Sequence, residues 1–160
     1  MSVRLVLVTL LTLAAAGWCG ADWDIRRDNS DKTRPPITDG VVDVCVGDDP
    51  FRFPQYLNEL GINKIRIRFT DAEGGEKKLS FVWSGGSLGV DKFAVSVDGI
   101  KLGNSQMVDS PKRPYAWYRD SFHCELASGA DHVIEITQVQ GFTTAIEFER
   151  IRLSSPGSVD

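Results

Sequence analysis

Apolar and polar residues alternate one by one along most of the chain from residue 64 onward. In KIRIRF (64–69), every second residue is isoleucine or phenylalanine, and the residues between them are lysine or arginine. Successive side chains of a β-strand point to opposite faces of the sheet, so this period of two predicts a strand with one buried face. The same pattern recurs in later segments, namely KLSFVW (78–83), KFAVSV (92–97), SFHCEL (121–126), HVIEITQV (132–139) and AIEFERIRL (145–153).

Glycine, proline and aspartate separate these segments. Asp98-Gly99 is a two-residue hairpin signal before IKLG (100–103), and VVDVCV (41–46) adds an earlier short strand. Many short strands joined by such turns predict an all-β fold, an antiparallel β-sandwich that is jelly-roll-like. At most one short helix is expected, in QYLNELG (55–61), because Pro54 precedes its first turn and a glycine ends it.

The last predicted strand changes phase part-way along. Ile146 and Phe148 share one face, whereas Ile151 and Leu153 belong to the opposite face. One extra residue would return the second pair to the core. A β-bulge is therefore predicted at 149–150.

The first residues, MSVRLVLVTLLTLAAAGWCGA (1–21), have the features of a secretory signal peptide. Arg4 supplies a positive start, an apolar run follows, and small residues precede a cleavage position after Ala21. The run is too short to span a bilayer. Acylation of Cys19, as in a lipoprotein, is the alternative, but the bulky Trp18 before it disfavours that processing.

Four regions follow from this pattern. We predict a signal peptide (1–21), an irregular N-terminal arm (22–40) that packs through Trp23 and Ile25, a single β-sandwich domain (41–155) and a C-terminal tail (156–160). The predicted location is outside the cytoplasm, either extracellular or periplasmic.

The charge of the chain limits its partners. It carries 18 Lys and Arg against 22 Asp and Glu, a net charge of −4, and loss of Arg4 with the signal peptide makes it −5. Nucleic acid or an anionic membrane would require a clustered basic face, so neither partner is expected. No other apolar run is long enough to form a membrane span.

Removal of the signal peptide leaves two cysteines, Cys45 and Cys124. In an oxidising compartment a disulfide between them is the default prediction, and it would close a loop of about 80 residues and contribute roughly 4 kcal/mol. Two buried free thiols are the alternative. With only His123 and His132 in addition, the cysteines make a poor zinc site.

The stretch RPYAWYRDSFHCEL (113–126) concentrates aromatic rings beside arginines. If Phe122 and Cys124 face the core, an unbroken strand turns Arg119, Trp117 and Tyr115 outward. Exposed rings beside an arginine suit a sugar, because the C–H face of a pyranose stacks on aromatic rings while its hydroxyls need polar partners. The alternative is that these rings cover the end of the sandwich or pack beneath the loop 104–114.

Residues from about 62 to 153 resemble the jelly-roll carbohydrate-binding modules of bacterial glycan-degrading enzymes, the galactose-binding-like sandwiches. The resemblance lies in GVDKFAVSVDGIKLG (89–103), YAWYRD (115–120), LASGADHVIEI (126–136) and IEFERIRL (146–153). In those modules the corresponding pieces are a hairpin with sugar-facing loops, a ligand-contacting aromatic stretch, a turn into a core strand and a closing strand. The first forty residues have no counterpart there.

The predicted function is that of a secreted, non-catalytic module that binds a polysaccharide or other glycan. Trp117 and Tyr115 would stack on the sugar, with Arg119, Asp120 and Arg113 as polar contacts. A structural or interaction module that meets another exported protein is the main alternative.

A small polysaccharide-active hydrolase or lyase is the third possibility, and it would use His123 with Asp120 and Glu125. No cofactor is expected, although a structural calcium ion is left open because carboxylates crowd the first part of the chain. These carboxylates are Asp22, Asp24, Asp28, Asp31, Asp39, Asp43, Asp48 and Asp49.

Overall fold

A computed structural model describes residues 22–26, 37–46, 56–57, 62–86, 89–109, 112–140 and 146–158, which form strands and turns without a helix. The predicted signal peptide, with Cys19, lies outside these residues. The strands are β1 (Trp23–Arg26), β2 (Ile37–Thr38), β3 (Val41–Cys45), β4 (Tyr56–Leu57), β5 (Lys64–Asp71), β6 (Gly75–Ser84), β7 (Val90–Val97), β8 (Ile100–Asn104), β9 (Val108–Asp109), β10 (Trp117–Leu126), β11 (Ala130–Gln140) and β12 (Ile146–Ser154).

The strands form two sheets that pack face to face. Sheet A has the order β1-β12-β6-β10, with β4 also paired to β12, and sheet B has the order β2-β3-β5-β11-β7-β8, with β9 paired to β7. Among the described strands every pairing is antiparallel except that of β3 with β5. That pair is parallel because the chain visits β4 in sheet A before it returns to sheet B. The predicted all-β sandwich is confirmed.

Aromatic rings from both sheets fill the centre of the sandwich. Phe81 and Trp83 of sheet A meet Phe93 of sheet B edge to face, with ring centroids 5.4 and 5.1 Å apart, and Phe148 meets Phe93 at 5.3 Å. All four side chains are fully buried. Edge-to-face packing of this kind adds about 0.5–1.5 kcal/mol per pair to the burial itself.

Two local predictions about strands are confirmed. The pairing of β12 with β6 shifts register between Phe148 and Arg150, so Glu149 is the extra residue of a bulge. Asp98 and Gly99 join β7 to β8 with positive φ angles of 51° and 78°, as a type I′ hairpin turn requires.

The N-terminal part and the expected helix differ from prediction. Within the arm predicted to be irregular, residues 23–26 form β1 on β12, and residues 37–38 form β2 on β3. Of the predicted helix at 55–61, the described residues Tyr56–Leu57 form strand β4, because they pair with residues 146–147 of β12. The rest of that segment lies outside the described residues.

The predicted disulfide is not formed, because its cysteines lie at opposite sides of the sandwich. Cys45 ends β3, beside the β2 edge of sheet B. Cys124 lies in β10, the edge strand of sheet A that packs across from β8, where Gly103 faces the ring of Phe122. Burial, together with the nearby carboxylates, raises the pKa of the Cys124 thiol to about 11, so it stays protonated at neutral pH.

A buried ion pair lies beneath the turn between β5 and β6. The side chains of Lys77 and Asp71 are each 1% exposed, and Nζ lies 3.4 Å from Oδ2. Lys77 also donates to Ser155 Oγ at 3.0 Å, while Asp71 Oδ1 accepts the backbone N–H groups of Glu73 and Gly74. Burial alone would raise the pKa of Asp71, but these amides and the ammonium lower it overall.

His132, also buried, is held between two acceptors. Its Nδ1 lies 2.7 Å from Asp98 Oδ2 and its Nε2 3.0 Å from the carbonyl oxygen of Ala127. Because a carboxylate and a carbonyl oxygen only accept hydrogen bonds, both contacts are satisfied together when the ring is a doubly protonated imidazolium. Burial opposes the charge, but the hydrogen bonds and the charges of Asp98 and Asp71 raise the pKa overall.

We expect this histidine to make stability depend on pH. Because its folded pKa is raised, its contribution is complete below the unfolded pKa of about 6.5 and is lost as the pH rises through the folded value. Urea unfolding of the wild type and of His132→Gln between pH 5 and 9 should show their difference shrinking as the pH rises. His123→Gln, at an exposed position, is the control. A stability difference between the wild type and His132→Gln that stays constant between pH 5 and 9 would contradict the imidazolium.

The described residues include no helix that is long and apolar enough to cross a bilayer.

Candidate functional site

The predicted alternation of inward-facing and outward-facing side chains is observed along the whole of β10. Phe122 and Cys124 pack against the core, and Tyr118 packs inward against Trp83, with ring centroids 5.6 Å apart. The alternate residues are exposed, and Trp117 retains 46% of its accessible surface. A tryptophan left half in water at the start of an edge strand has a face available for a ligand.

Tyr115 precedes this strand in a tight turn. The amide N–H of Ala116 donates to the carbonyl of Arg113 at 3.4 Å, so Pro114 and Tyr115 are the two central residues. Tyr115 has a φ of 60°, which glycine usually adopts in a turn of this type, and its side chain is 66% exposed. Backbone strain of about 1–3 kcal/mol at a bulky residue often accompanies a binding site.

Asp120 is placed differently from the prediction. Its carboxylate lies on the inner side of β10, where Oδ2 accepts the indole N–H of Trp83 at 2.7 Å and Oδ1 accepts the backbone N–H of Gln106 at 3.1 Å. The side-chain amide of Gln106 also donates, through Nε2, to the backbone carbonyl of Arg119 at 3.1 Å. Asp120 therefore holds β10, the strand that carries Trp117, against the core. Because side chains alternate along the strand, Asp120 points to the opposite face of the sheet from Arg119.

Strand register arranges the outer face of sheet A in rows that cross β12, β6 and β10. Neighbours within a row are about 5 Å apart, and successive rows are about 7 Å apart. The rows, in order, are Glu147, Ser84 and Trp117; Arg150, Val82 and Arg119; Arg152, Ser80 and Ser121; and Ser154, Lys78 and His123.

An open groove of about 380 Å³ runs across the middle rows. This volume is in the range of small-ligand sites. Four basic residues border the groove, namely Lys78, Arg119, Arg150 and Arg152, and Ser80, Val82 and Ser121 lie between them. Phe81 and Asp120 also line the groove, although their side chains face the interior of the sandwich. Trp117 lies one row beyond Arg119 on the same strand, outside the set of residues that border the groove.

Asp24 of β1 holds one of the arginines in position. Arg150 donates to it through two bonds, Nε to Oδ1 at 2.8 Å and Nη2 to Oδ2 at 2.9 Å, and Arg26 donates at 3.1 Å. Burial alone would raise the pKa of Asp24, but these hydrogen bonds and charges lower it. Asp24 therefore stays ionised at neutral pH and fixes the Arg150 guanidinium at the edge of the groove.

The basic groove was not predicted from the negative net charge of the chain. Three strands distant in sequence each contribute basic residues to one face of sheet A. Each basic residue of the groove does occupy an outward position in its own strand. In β12, the predicted bulge is what turns Arg150 and Arg152 outward. The missing information was the order of the strands.

The residues considered for catalysis do not converge. His123 and Glu125 face outward on β10, whereas Asp120 is committed to the inner side. The ring of His123 contacts Glu76 on β6 instead, with Nδ1 3.2 Å from Oε1. Within the described ranges no group of three metal-ligating side chains is present; Asp28, Asp31, Asp48 and Asp49 lie outside them.

No protein-family model and no curated protein matches the sequence. Among solved structures, the chain is similar to a family 35 carbohydrate-binding module from Clostridium thermocellum, with 14% identity, a TM-score of 0.46, and coverage of 84% of this chain and 90% of that one. It is also similar to a β-(1,4)-mannanase from Podospora anserina, with 14% identity over 86% of this chain and a TM-score of 0.47.

A third similar structure is a cycloisomaltooligosaccharide glucanotransferase from a Paenibacillus species, with 19% identity over 55% of this chain and a TM-score of 0.42. This chain spans 12% of the glucanotransferase and 29% of the mannanase.

Proposed function

We propose that this chain is an exported, non-catalytic carbohydrate-binding module that holds a glycan across the outer face of sheet A. The observation that carries the proposal is the exposed ring of Trp117, one row along sheet A from a groove lined with polar side chains. A sugar ring stacked on the indole would extend its hydroxyls toward Arg119 and the serines of β6 and β10. The predicted signal peptide supports export.

The aromatic and the polar residues would make different kinds of contact with the glycan. Trp117 supplies apolar contact area at a low cost in side-chain entropy, and Arg119 supplies planar donors that fix the orientation of the ligand. Tyr115 and Arg113, in the turn just before β10, would extend the site beyond the groove. Asp120 acts as a positioning residue through Trp83 and Gln106.

Substitution of Trp117 by alanine should abolish most glycan retention while leaving the fold intact. Loss of a central stacking residue typically costs about 2 kcal/mol, or roughly 30-fold in affinity. Stability should change by less than about 1 kcal/mol, because nearly half of the side chain is already in water. The measurement is retention on insoluble xylan, mannan, β-glucan, chitin and pectin, with melting temperatures in parallel.

Ile100→Ala is the matched control. Ile100 is 70% exposed at the hairpin between β7 and β8 in sheet B, and its loss should leave retention unchanged. Equal retention of Trp117→Ala and wild type would contradict the site. Failure of the wild type to bind any polysaccharide, with capture of an exported protein instead, would favour an interaction module.

A further inference from the structure

We propose that the chain pairs with a second copy of itself through the outer edge of β10, so that sheet A continues from one copy into the other. The proposal concerns an interaction surface and does not depend on the binding of a glycan. It is carried by an edge strand without the protection that the other sheet edges have, and by charges along that strand that complement each other across a two-fold axis.

Strand β10 is the longest of the four strands at the ends of the two sheets. It spans ten residues, Trp117–Leu126, and pairs with β6 residue by residue without a shift of register. Of the other end strands, β1 has four residues, β2 has two, and β8 has five with a register shift in its pairing with β7. Proteins use short strands and bulges to prevent edges from pairing. The edge of β10 has neither, and no described strand pairs with its outer side.

The backbone of β10 offers hydrogen-bonding groups along this edge. The carbonyl oxygen of Arg119 accepts the side-chain amide of Gln106 at 3.1 Å, so it points away from β6. Backbone groups of an antiparallel strand alternate between its two sides, so Ser121, His123 and Glu125 direct theirs to the same outer edge. Gln106 covers the start of the edge, and the segment from Ser121 to Glu125 is where a second strand fits.

Charge along β10 selects one register for the pairing. In this register, two copies of the strand run antiparallel about a two-fold axis at Phe122, perpendicular to the sheet. Ser121 of one copy then lies opposite His123 of the other, and their outward backbone groups exchange hydrogen bonds. Arg119 of one copy lies opposite Glu125 of the other, and symmetry repeats this ion pair. Opposite charges on directly facing residues stabilise a strand pair.

These two charges have no counterpart inside one copy. Arg119 and Glu125 are both exposed, and within the described residues neither side chain contacts a group of opposite charge. Glu125 instead lies opposite another carboxylate, that of Glu76 on β6. Like charges on directly facing residues destabilise a strand pair. A guanidinium from the second copy would offset this repulsion.

The side chains of β10 that face the interior also favour a neighbour. Tyr118, Phe122 and Cys124 are only partly buried, whereas Leu79 and Phe81 on the inner face of β6 are 0% and 1% exposed. With the axis at Phe122, the two Phe122 rings would lie opposite each other. An aromatic pair across two strands adds about 0.2–1 kcal/mol. The pairing would therefore bury apolar surface that a strand with one neighbour leaves in water.

Self-association of the purified protein is the first measurement. Sedimentation velocity and light scattering over a range of concentrations should show a monomer and a dimer in equilibrium. Ser121→Pro should abolish the dimer, because proline removes an outward N–H group and leaves the hydrogen bonds to β6 in place. Melting temperatures measured in parallel verify that the variant is folded.

Charge reversal at exposed positions tests the register without disturbing the core. Arg119→Glu and Glu125→Arg should each weaken the dimer about ten-fold or more, because each variant places like charges opposite each other twice. An equimolar mixture of the two variants should form a heterodimer of nearly wild-type affinity, and the double variant should form a homodimer. Glu149→Arg, the same reversal at an exposed position on β12, is the matched control and should dimerise as the wild type does.

The remaining outcomes are decisive in the other direction. A wild type that stays monomeric at every concentration would overturn the proposal, including the case in which β10 pairs with a strand of another exported protein. A dimer that is insensitive to Ser121→Pro and to both charge reversals would place the interface elsewhere and overturn it as well. A mixture of Arg119→Glu and Glu125→Arg that stays monomeric would overturn the register centred on Phe122.

Discussion

Replacement of Lys77 by methionine should lower the free energy of unfolding by about 3–5 kcal/mol, because it leaves the carboxylate of Asp71 buried without its counter-ion. Both side chains are 1% exposed, and the ammonium is 3.4 Å from the carboxylate. Methionine keeps most of the volume, so the loss reports charge more than packing. Urea unfolding at pH 7 measures it.

The adjacent Lys78→Met is the matched control, because that lysine faces the groove on the other side of β6 and its loss should cost less than about 1 kcal/mol. The double variant Lys77→Met with Asp71→Asn should regain most of the loss, since it removes both charges and keeps an acceptor for the amides of the turn. A cost below 1 kcal/mol for Lys77→Met alone would contradict the buried ion pair.

The pH dependence of the same variants has a defined sign. In the wild type, the lowered pKa of Asp71 means that its stabilisation is present above the unfolded pKa of about 3.9 and is lost as the pH falls through the folded value. In Lys77→Met, protonation instead relieves an unpaired charge. The stability difference between wild type and variant should therefore shrink as the solution becomes acidic.

Replacement of Gly74 by alanine should cost about 2–5 kcal/mol, because two effects add at this position. Its φ of 68° is left-handed, which costs an alanine about 1–2 kcal/mol. A Cβ there would also lie 2.5 Å from the backbone nitrogen of Ser128 and 2.9 Å from the carbonyl oxygen of Leu126. The turn between β5 and β6 would have to move away from the turn between β10 and β11, at about 1–3 kcal/mol.

Gly129→Ala separates the two effects. Gly129 has nearly the same φ, 67°, but a Cβ there would meet no atom within 4 Å, so only the backbone cost applies. Thermal or urea unfolding of both variants gives the difference directly. Equal costs would mean that the two turns do not press against each other.

The strands and the core could be predicted because their signal is local. Alternation in KLSFVW decided that Phe81 and Trp83 are buried, and the phase change in β12 located the bulge at Glu149. Strand β4 carried no such signal, because it is two residues long and exists through its pairing with β12. Pro54 and Gly61, which are typical of the start and the end of a helix, therefore favoured a helix there.

For the candidate site, the side-chain directions along β10 could be predicted because they too depend on a local pattern. Parity along one strand was sufficient to place Trp117 and Arg119 outside and Tyr118 inside. The same parity places Asp120 inside, and its residue type alone had suggested a ligand contact. Its partners, Trp83 and Gln106, lie on other elements, which no local pattern identifies.

The amino-acid sequence by itself determined which residues of each strand face the core, where the chain turns and where β12 gains its extra residue. These properties depend on neighbours within a few positions. Tertiary structure alone decided that β12, β6 and β10 lie side by side, so that basic residues more than seventy positions apart share one groove. It also decided that Cys45 and Cys124 are far apart, because strand order in two sheets is a property of the whole chain.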